Sequence, residues 1–443
     1  MILNPFSKNI SKIYRKESRI LNYIEYKEKI KENLRLENVI YGVEGNPIKF
    51  YKQPLFLCER ETNYFQNLVD KTNSLFEQAY SIILKDRNYL KFLGISPELI
   101  DIKRDLNPVS IFRIDGTILR QNKKFKFLEI NSNNPGGLYN ADNLERILLE
   151  NDPVLKALNE NYNLLTHNRM NAFTKMIINE YDKFKLRTGK NLGDNLLVLG
   201  DRKESPIVYS QLLNYLSKNS NFQAYFAYYD STKINYDRDG SLYFNDKKIA
   251  VVNRRVHSRD DLKNIKMLAK ASLKEKVLVL NKFSSSILGM KKFYLLLQEK
   301  SFQQKLSQLN VDFIKEYIPK TFDFNNINSI SDSYLLNKKN EFVIKINNSE
   351  KGDGVFIGEN YSNEEWKNLI KEFRREQGKL KYSTKIVQEF LNMTKVESRE
   401  YDYNLLSIGG IFMPFARIAS GENMKTNIAQ GGEYIPCFKY TKK

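Results

Sequence analysis

Residues 110–137 read SIFRIDGTILRQNKKFKFLEINSNNPGG, and this stretch decides which fold the sequence predicts. Residues 110–115 and 125–131 are short apolar segments bounded by polar residues and turn formers, a pattern that predicts β-strands. The Asp115-Gly116 pair and the polar residues 121–124 separate the two segments, as in a hairpin. Residues 132–137, SNNPGG, predict a loop after the second strand.

Oxygen-bearing side chains accompany these two strands. Glu129 and Asn131 are two residues apart, so they project from one face of their strand, beside Asp115 on the neighbouring strand. Carboxylate and amide oxygens are ligands that Mg²⁺ accepts when it bridges nucleotide phosphates. Arg113 shares the face of Asp115 and adds a positive fork for a developing oxyanion. A solvated hairpin with charges that face water explains the same residues equally well.

A lysine and two glycines form a second group, in the last third of the chain. Lys345 ends an apolar strand, and Gly352 and Gly354 lie in the loop after it. Glycine lets backbone N–H groups approach phosphate oxygens, and a lysine can contact a phosphate as a point charge. The spacing is not that of a Walker A loop. A β-hairpin turn explains the glycine pair as well.

A third group closes the sequence. Arg417 ends a strand-like segment, and Asn427 begins a polar stretch that runs to Gly431 and Gly432. Such a stretch can close over reacting groups, and it can equally be a simple hairpin connection.

Composition limits the classes of function. The chain has 443 residues and a net charge of +19, which favours anionic partners, although general lysine richness explains the charge too. Two cysteines and two histidines exclude a disulfide framework, a structural zinc site and His-rich metal catalysis. The first residues lack the apolar core of a signal peptide, and no stretch approaches the roughly 20 apolar residues that span a bilayer. We therefore expect a cytoplasmic protein with no membrane partner.

Together, the order of these groups resembles the ATP-grasp ligases in a circularly permuted arrangement. In the ordinary order the lysine strand and glycine loop come first and the metal-binding strands come last. Here the lysine, the glycine loop, the segment 387–391, Arg417 and the Gly-Gly stretch keep that order, whereas the Arg-x-Asp…Glu-x-Asn pair stands near the start. The sequence is similar to the permuted group of glutathionylspermidine synthetases and amino-acid ligases, some of which act on carrier proteins.

The resemblance implies an α/β (α+β) fold, namely a circularly permuted ATP-grasp fold. Residues 1–190 would form a helical N-terminal region that carries the metal-binding hairpin, 110–137. Residues 191–280 would form a pre-ATP-grasp α/β unit, which the strand–helix–strand pattern of this stretch also indicates. Residues 281–443 would form the nucleotide-binding subdomains.

The resemblance also implies roles for individual residues. The Mg²⁺ ligands would be Asp115, Glu129 and Asn131. The catalytic residues would be Arg113, Arg417 and Asn427, with the arginines stabilising an acyl phosphate and a tetrahedral intermediate. The residues that contact ATP would be Lys291 (with Lys292 as the rival register), Lys345, Gly352, Gly354, Gln388, Glu389, Phe390, Leu391 and Glu397, the last on the ribose. The substrate-side residues would be Arg255, Gly431 and Gly432.

The function implied is an ATP-dependent ligase that joins a carboxylate to an amine, or less often to a thiol, and releases ADP and phosphate. The carboxylate would be a small molecule such as an amino acid, and the acceptor an amine, a peptide or an acidic carrier protein. One alternative is a non-catalytic nucleotide-binding regulatory protein on a ligase fold. Another is an RNA-binding protein, but the sequence lacks an RNP-like phrase in which basic and aromatic residues alternate.

Overall fold

The computed structural model describes residues 8–19, 23–41, 44–95, 109–133, 135–200, 202, 206–255, 262–347, 354–376, 384–420 and 426–443. The α-helices are α1 (Asn9–Ser18), α2 (Tyr23–Leu36), α3 (Glu59–Lys85), α4 (Arg87–Leu93), α5 (Leu138–Asn151), α6 (Pro153–Asn161), α7 (Arg169–Thr188), α8 (Ile207–Asn219), α9 (Leu262–Leu273), α10 (Ser286–Gly289), α11 (Lys291–Gln298), α12 (Lys300–Gln303), α13 (Gln308–Tyr317), α14 (Asp332–Asn337) and α15 (Asn363–Arg375).

The strands form several separate sheets. They are β1 (Ile40–Tyr41), β2 (Asn46–Pro47), β3 (Leu55–Leu57), β4 (Ile111–Ile118), β5 (Phe125–Asn131), β6 (Tyr162–Leu165), β7 (Asn195–Gly200), β8 (Gln223–Tyr228), β9 (Ile234–Tyr236), β10 (Leu242–Phe244), β11 (Lys247–Lys248), β12 (Val251–Arg254), β13 (Leu278–Leu280), β14 (Thr321–Asp323), β15 (Phe342–Ile346), β16 (Val355–Ile357), β17 (Lys385–Glu389), β18 (Lys395–Val396), β19 (Arg399–Ile408), β20 (Ile411–Ile418), β21 (Glu433–Ile435) and β22 (Cys437–Lys442).

The predicted hairpin forms one side of the largest sheet. β4 and β5 pair antiparallel, and the strand order is β21-β20-β19-β4-β5, with β18 paired to β19. Strands from the first and the last parts of the chain therefore lie side by side. The last strand, β22, also pairs with β3 and β6 from the N-terminal part.

One face of this sheet is apolar and packs against α3. The apolar spacing of residues 59–84 predicts this helix, and the structure confirms it. Phe65 of α3 is buried, and its ring centre lies 5.6 Å from that of Phe125, 5.3 Å from Tyr403 and 5.5 Å from Phe412. Because side chains alternate along a strand, the neighbours of these aromatic residues point to the opposite face.

A parallel sheet lies within the predicted α/β unit. Its strand order is β13-β12-β7-β8, and all three pairings are parallel. The strands are short and apolar, as is typical of strands covered on both faces. Arg255 follows β12 directly, so it lies at the carboxyl edge of this sheet.

A four-stranded antiparallel sheet carries the predicted lysine strand. Its order is β14-β17-β15-β16, and Lys345 lies on β15. Trp366 of α15 is fully buried against it and donates a hydrogen bond to the carbonyl oxygen of Leu335 at 3.2 Å. Among the described helices, none is long and apolar enough to cross a membrane.

Candidate active site

Polar side chains gather on the second face of the largest sheet. The register of β4 and β5 sets Arg113 opposite Asn131 and Asp115 opposite Glu129. Arg113 donates two hydrogen bonds to Asp115, from Nε to Oδ1 at 2.5 Å and from Nη2 to Oδ2 at 2.7 Å. The Asn131 amide nitrogen donates to Asp115 at 3.1 Å and to Glu129 at 3.3 Å. The structure therefore brings the predicted oxygen ligands together.

The carboxylate of Asp115 is buried yet held in the charged form. Only 1% of its surface is exposed, and burial alone would raise its pKa. Arg113 and Arg417 outweigh this effect and lower the pKa of Asp115 below its ordinary value. Arg417 reaches it from β20, with an NH2 nitrogen 3.0 Å from Asp115 Oδ2. Burial lowers the pKa of Arg417, but Asp402 and Asp115 raise it overall.

A β-bulge joins the hairpin to the lysine sheet. The pairing of β4 with β5 passes from Asp115–Glu129 to Gly116–Phe127, so Leu128 is an extra residue on β5. Its carbonyl oxygen accepts a hydrogen bond from Lys345 Nζ at 2.9 Å. The ammonium group of Lys345 therefore binds the residue that precedes Glu129 in the sequence and links the two sheets.

Lys345 is buried among polar partners. Its Nζ also donates to Gln388 Oε1 at 2.6 Å. The pKa of Lys345 is lowered to about 8, mainly by burial; Glu129 opposes this shift, and Lys291 adds to it. The side chain of Lys291 thus lies within electrostatic range of Lys345.

Of the two rival lysine registers, the structure brings only one to Lys345. Lys292 Nζ donates to the carbonyl oxygen of Phe92 at 2.7 Å and lies over the Phe92 ring. Lys291, at the start of α11, is buried and lies within electrostatic range of Lys345.

Three arginines lie within electrostatic range of Tyr434 of β21. Burial raises the pKa of Tyr434, whereas a hydrogen bond with Asn140 and then the charges of Arg113, Arg417 and Arg255 act to lower it. Arg255 is held by Tyr209, whose hydroxyl accepts a hydrogen bond from Nε at 2.7 Å. Arg113 also donates to the carbonyl oxygen of Gly136 at 2.9 Å, in the predicted loop. Arg113 therefore joins the hairpin to the loop that follows β5.

Two carboxylates and one amide oxygen are donor types that Mg²⁺ accepts. Among the described residues no group of three or more His, Cys, Asp or Glu side chains could hold a metal ion, and Asn131 turns its amide nitrogen toward both carboxylates. Magnesium binding by Asp115, Glu129 and Asn131 therefore stays a prediction. Tyr294 adds an observation: its buried hydroxyl makes no hydrogen bond to the described residues. Burial, then Glu129 and Asp115, raise its pKa, so this O–H donor lies near both carboxylates.

The predicted adenine contact involves the backbone of residues 388–391, where β17 ends. Gln388 lies between two paired strands, opposite Thr321 and Val343, and its side chain contacts Lys345. The N–H of Glu389 donates to Lys320 O, and the N–H of Phe390 donates to Glu341 O. A backbone contact with adenine stays a prediction for the residues from Gln388 to Leu391, which lie at the end of β17 and just after it.

The remaining predicted residues lie in turns. Glu397 is half exposed with φ +47° and pairs with Lys52 at 3.5 Å, so its contact with a ribose stays a prediction. Asn427 Oδ1 accepts the N–H of Ala429 at 2.8 Å and so caps a short turn. The other turn glycines are Gly431, which has φ +93°, Gly432, which packs on Thr426 O, and Gly354, whose carbonyl oxygen accepts the N–H of Ile346. Gly352 lies outside the described residues.

Sequence reasoning missed three polar residues of the site. Asp402 and Asn404 lie on β19, and Thr426 follows later in the chain. All three are buried, and each takes part in hydrogen bonds that lead to Arg417. The signal was present, since Asp402-x-Asn404 repeats the same-face spacing of Glu129-x-Asn131.

Comparison with known proteins supports the fold. No family model matches the chain, and the search of curated proteins found no match. Among solved structures the chain is similar to a glutathione synthetase-like effector from Globodera pallida in its apo form. The TM-score is 0.62 and the identity 13%, and the match covers 94% of this chain and 96% of the other.

The chain has a glutathione synthetase-like fold. This agrees with the predicted α/β (α+β), ATP-grasp-like architecture. At this identity the likeness concerns the fold alone, so the permuted order of the sites, the three predicted sequence divisions and the residue roles stay predictions.

Proposed function

We propose that this protein is an ATP-dependent ligase that joins a carboxylate to an amine through an acyl phosphate. One observation carries the proposal: the ammonium group of Lys345 docks on the carbonyl next to Glu129. That contact sets a buried ammonium group, a type of group that binds phosphate, beside carboxylates, a type of group that binds Mg²⁺, although the two lie far apart in the sequence.

The reaction has two steps. A carboxylate oxygen of the substrate attacks the γ-phosphorus of ATP, so an O–P bond forms and the bond from that phosphorus to ADP breaks. The amine nitrogen then attacks the acyl carbon, the C–O bond to phosphate breaks, and the nitrogen loses a proton. No side-chain nucleophile is needed, because positioning and charge neutralisation supply most of the catalysis.

The site residues divide these tasks. Lys345 and Lys291 would bind ATP phosphates, and Arg113 and Arg417 would offset the negative charge that develops on the transferred phosphoryl group and on the tetrahedral oxygen. Asp115, Glu129 and Asn131 would hold magnesium, which when bound offsets phosphate charge. The ribose contact of Glu397 and the loop role of Asn427 belong to the same proposal.

The proposed contacts with the substrate carboxylate involve Arg255 and Arg113. Arg255 lies at the carboxyl edge of the parallel sheet, where open α/β sheets bind ligands. Its guanidinium approaches Gly136, since a Cβ built on that glycine would lie 3.9 Å from it. A substrate carboxylate between Arg255 and the loop would stand next to Arg113.

The proposal is tested by identifying the nucleotide product. With ATP, Mg²⁺ and pools of amino acids and amines, we expect release of ADP and phosphate, which chromatography and a phosphate assay measure. Release of AMP and pyrophosphate would overturn the proposal.

Glu129→Gln is the matching variant, because it removes a metal ligand from a half-buried position without changing side-chain size. We expect turnover to fall on the order of hundredfold or more while thermal unfolding stays unchanged. Glu372→Gln, on the exposed face of α15, is the control and should keep the wild-type rate. Wild-type turnover in Glu129→Gln would remove Glu129 from the proposed metal site.

A second function is favoured by one observation. Both oxygens of Asp115 are already engaged by the fork of Arg113, which suits a site that binds a nucleotide without turnover. Calorimetric binding of ATP with no ADP release from any substrate pool would favour this regulatory alternative.

A further inference from the structure

Arg417 is held by a second buried carboxylate. Asp402 lies directly opposite Arg417 in the pairing of β19 with β20. Asp402 Oδ1 accepts from Arg417 Nε at 3.2 Å, and Oδ2 accepts from an NH2 nitrogen at 2.6 Å. Two bonds to one carboxylate fix the plane of the guanidinium as well as its distance.

The same nitrogen connects Asp402 with the predicted metal group. Arg417 Nη2 donates to Asp402 Oδ2 at 2.6 Å and also to Asp115 Oδ2 at 3.0 Å. Each of the two carboxylates is only 1% exposed. A buried charge is costly unless it is paired. The two carboxylates therefore hold the Arg417 guanidinium between them.

Asp402 is itself fixed by two further donors. Asn404 Nδ2 donates to Oδ1 at 2.7 Å, and Thr426 Oγ1 donates to Oδ2 at 2.5 Å. Each oxygen of Asp402 therefore accepts one bond from Arg417 and one from another side chain. A carboxylate held in this way cannot rotate without losing bonds, so it provides a rigid support for the arginine.

We propose that Asp402 is a positioning residue that holds the Arg417 guanidinium in the orientation needed at the reacting phosphoryl group. Asp402 acts through Arg417, and Thr426 keeps Asp402 in place. The inference rests on the proposed function, because that reaction defines the task of Arg417.

The kinetic test is Asp402→Asn, which keeps the shape of the side chain and removes its charge. We expect kcat to fall by about ten- to hundredfold, as for other residues that orient an active group, with little change in the KM for ATP. In an Arg417→Lys background, which lacks the fork, the same substitution should cost much less. An equal loss in both backgrounds, or an unchanged kcat, would overturn the proposal.

Thr426 supplies a milder pair of variants that keeps the carboxylate. Thr426→Val removes the hydroxyl donor and should lower kcat by a smaller factor than Asp402→Asn, whereas Thr426→Ser keeps the donor and should match the wild type. Equal rates in Val and Ser variants would remove Thr426 from the support of Asp402.

A spectroscopic test does not depend on turnover. The Arg417 Nε–H resonance, assigned by its loss in Arg417→Lys, should exchange slowly with solvent in the wild type and much faster in Asp402→Asn. Unchanged exchange would overturn the role of Asp402 even if the protein proves not to be a ligase. Conversely, a wild type that shows slow exchange but releases no ADP would contradict the proposed function and leave the positioning of Arg417 intact.

Discussion

Lys345 illustrates how burial makes a single residue sensitive to pH. Its ammonium group must carry a proton to bind phosphate, but burial lowers its pKa to about 8. The unfolded chain holds this proton up to about 10.5, so it binds more protons than the folded chain between the two values. The contribution of Lys345 to the free energy of unfolding therefore rises with pH across this window.

The same residue should limit nucleotide binding at high pH. We expect the KM for ATP to rise as the pH passes through about 8, because Lys345 loses its positive charge. In Lys345→Arg the charge persists, so the KM should be higher overall but flat over this range. Steady-state kinetics from neutral to alkaline pH measures both. An identical rise in the arginine variant would assign the titration to another group.

Single residues were predictable where their partners lie close in the chain. Glu129 and Asn131 follow from a two-residue spacing, and Asp115 follows from the neighbouring strand of the hairpin. The Lys345 contact with Leu128 and the Arg417 contact with Asp115 depend on tertiary packing, which no local pattern contains.

At the scale of elements, the bulge in β5 joins the hairpin to the lysine sheet. Phe127 lies in the apolar core below the sheet, and Glu129 faces the site on the opposite side. A regular strand would set residues two apart on the same face. The extra residue Leu128 therefore makes the change of face possible and frees a carbonyl oxygen for Lys345.

Deletion of Leu128 should remove the carbonyl acceptor of Lys345 and leave Phe127 and Glu129 on opposite faces of the sheet. Phe127 and Glu129 would become neighbours and would still alternate between faces, so we expect the hairpin to fold. Lys345 would lose one acceptor, and ATP affinity should fall by roughly tenfold or more, measured by calorimetry. Leu128→Ala keeps the carbonyl and should bind ATP like the wild type. Unchanged affinity in the deletion would contradict the docking role of the bulge.

The packing of α3 on the sheet sets stability independently of the site. Phe65→Ala empties a position where three aromatic rings meet, so we expect the free energy of unfolding to fall by about 3–5 kcal/mol. Lys71→Ala, on the exposed side of the helix, should change it by less than about 0.5 kcal/mol. Denaturant unfolding compares the two, and similar losses would mean that α3 does not depend on its apolar face.

β19 begins earlier in the chain than its apolar residues predict. Apolar residues predict a strand over 404–408, whereas the strand begins at Arg399. Tyr401 and Tyr403 enter the apolar core, while Asp402 between them is buried on the site face. Polar residues that alternate with aromatic ones normally face water, and here a buried polar site replaces the water.

At the scale of the whole molecule, strands from the first and the last parts of the chain pair within the same sheets. β4 from the first part pairs with β19 from the last part, and β22 pairs with β3 and β6. Hydrophobic patterns predicted the strands, but strand pairing between distant segments has no local signal. The order of the motifs supplied what the patterns lacked, because it required the acidic hairpin and the lysine strand to meet.

The net charge of +19 belongs to the whole molecule, and its bearing on function depends on the acceptor. If the acceptor is an acidic carrier protein, the basic surface would speed its approach, and salt would screen this attraction over a Debye length of about 8 Å at physiological ionic strength. We then expect kcat/KM for the acceptor to fall steeply as salt rises. With a small neutral amine as acceptor, kcat/KM should stay nearly constant, which serves as the control for salt effects on ATP binding. A constant kcat/KM for an acidic carrier protein as well would mean that the charge reflects general lysine richness and recognises no macromolecular partner.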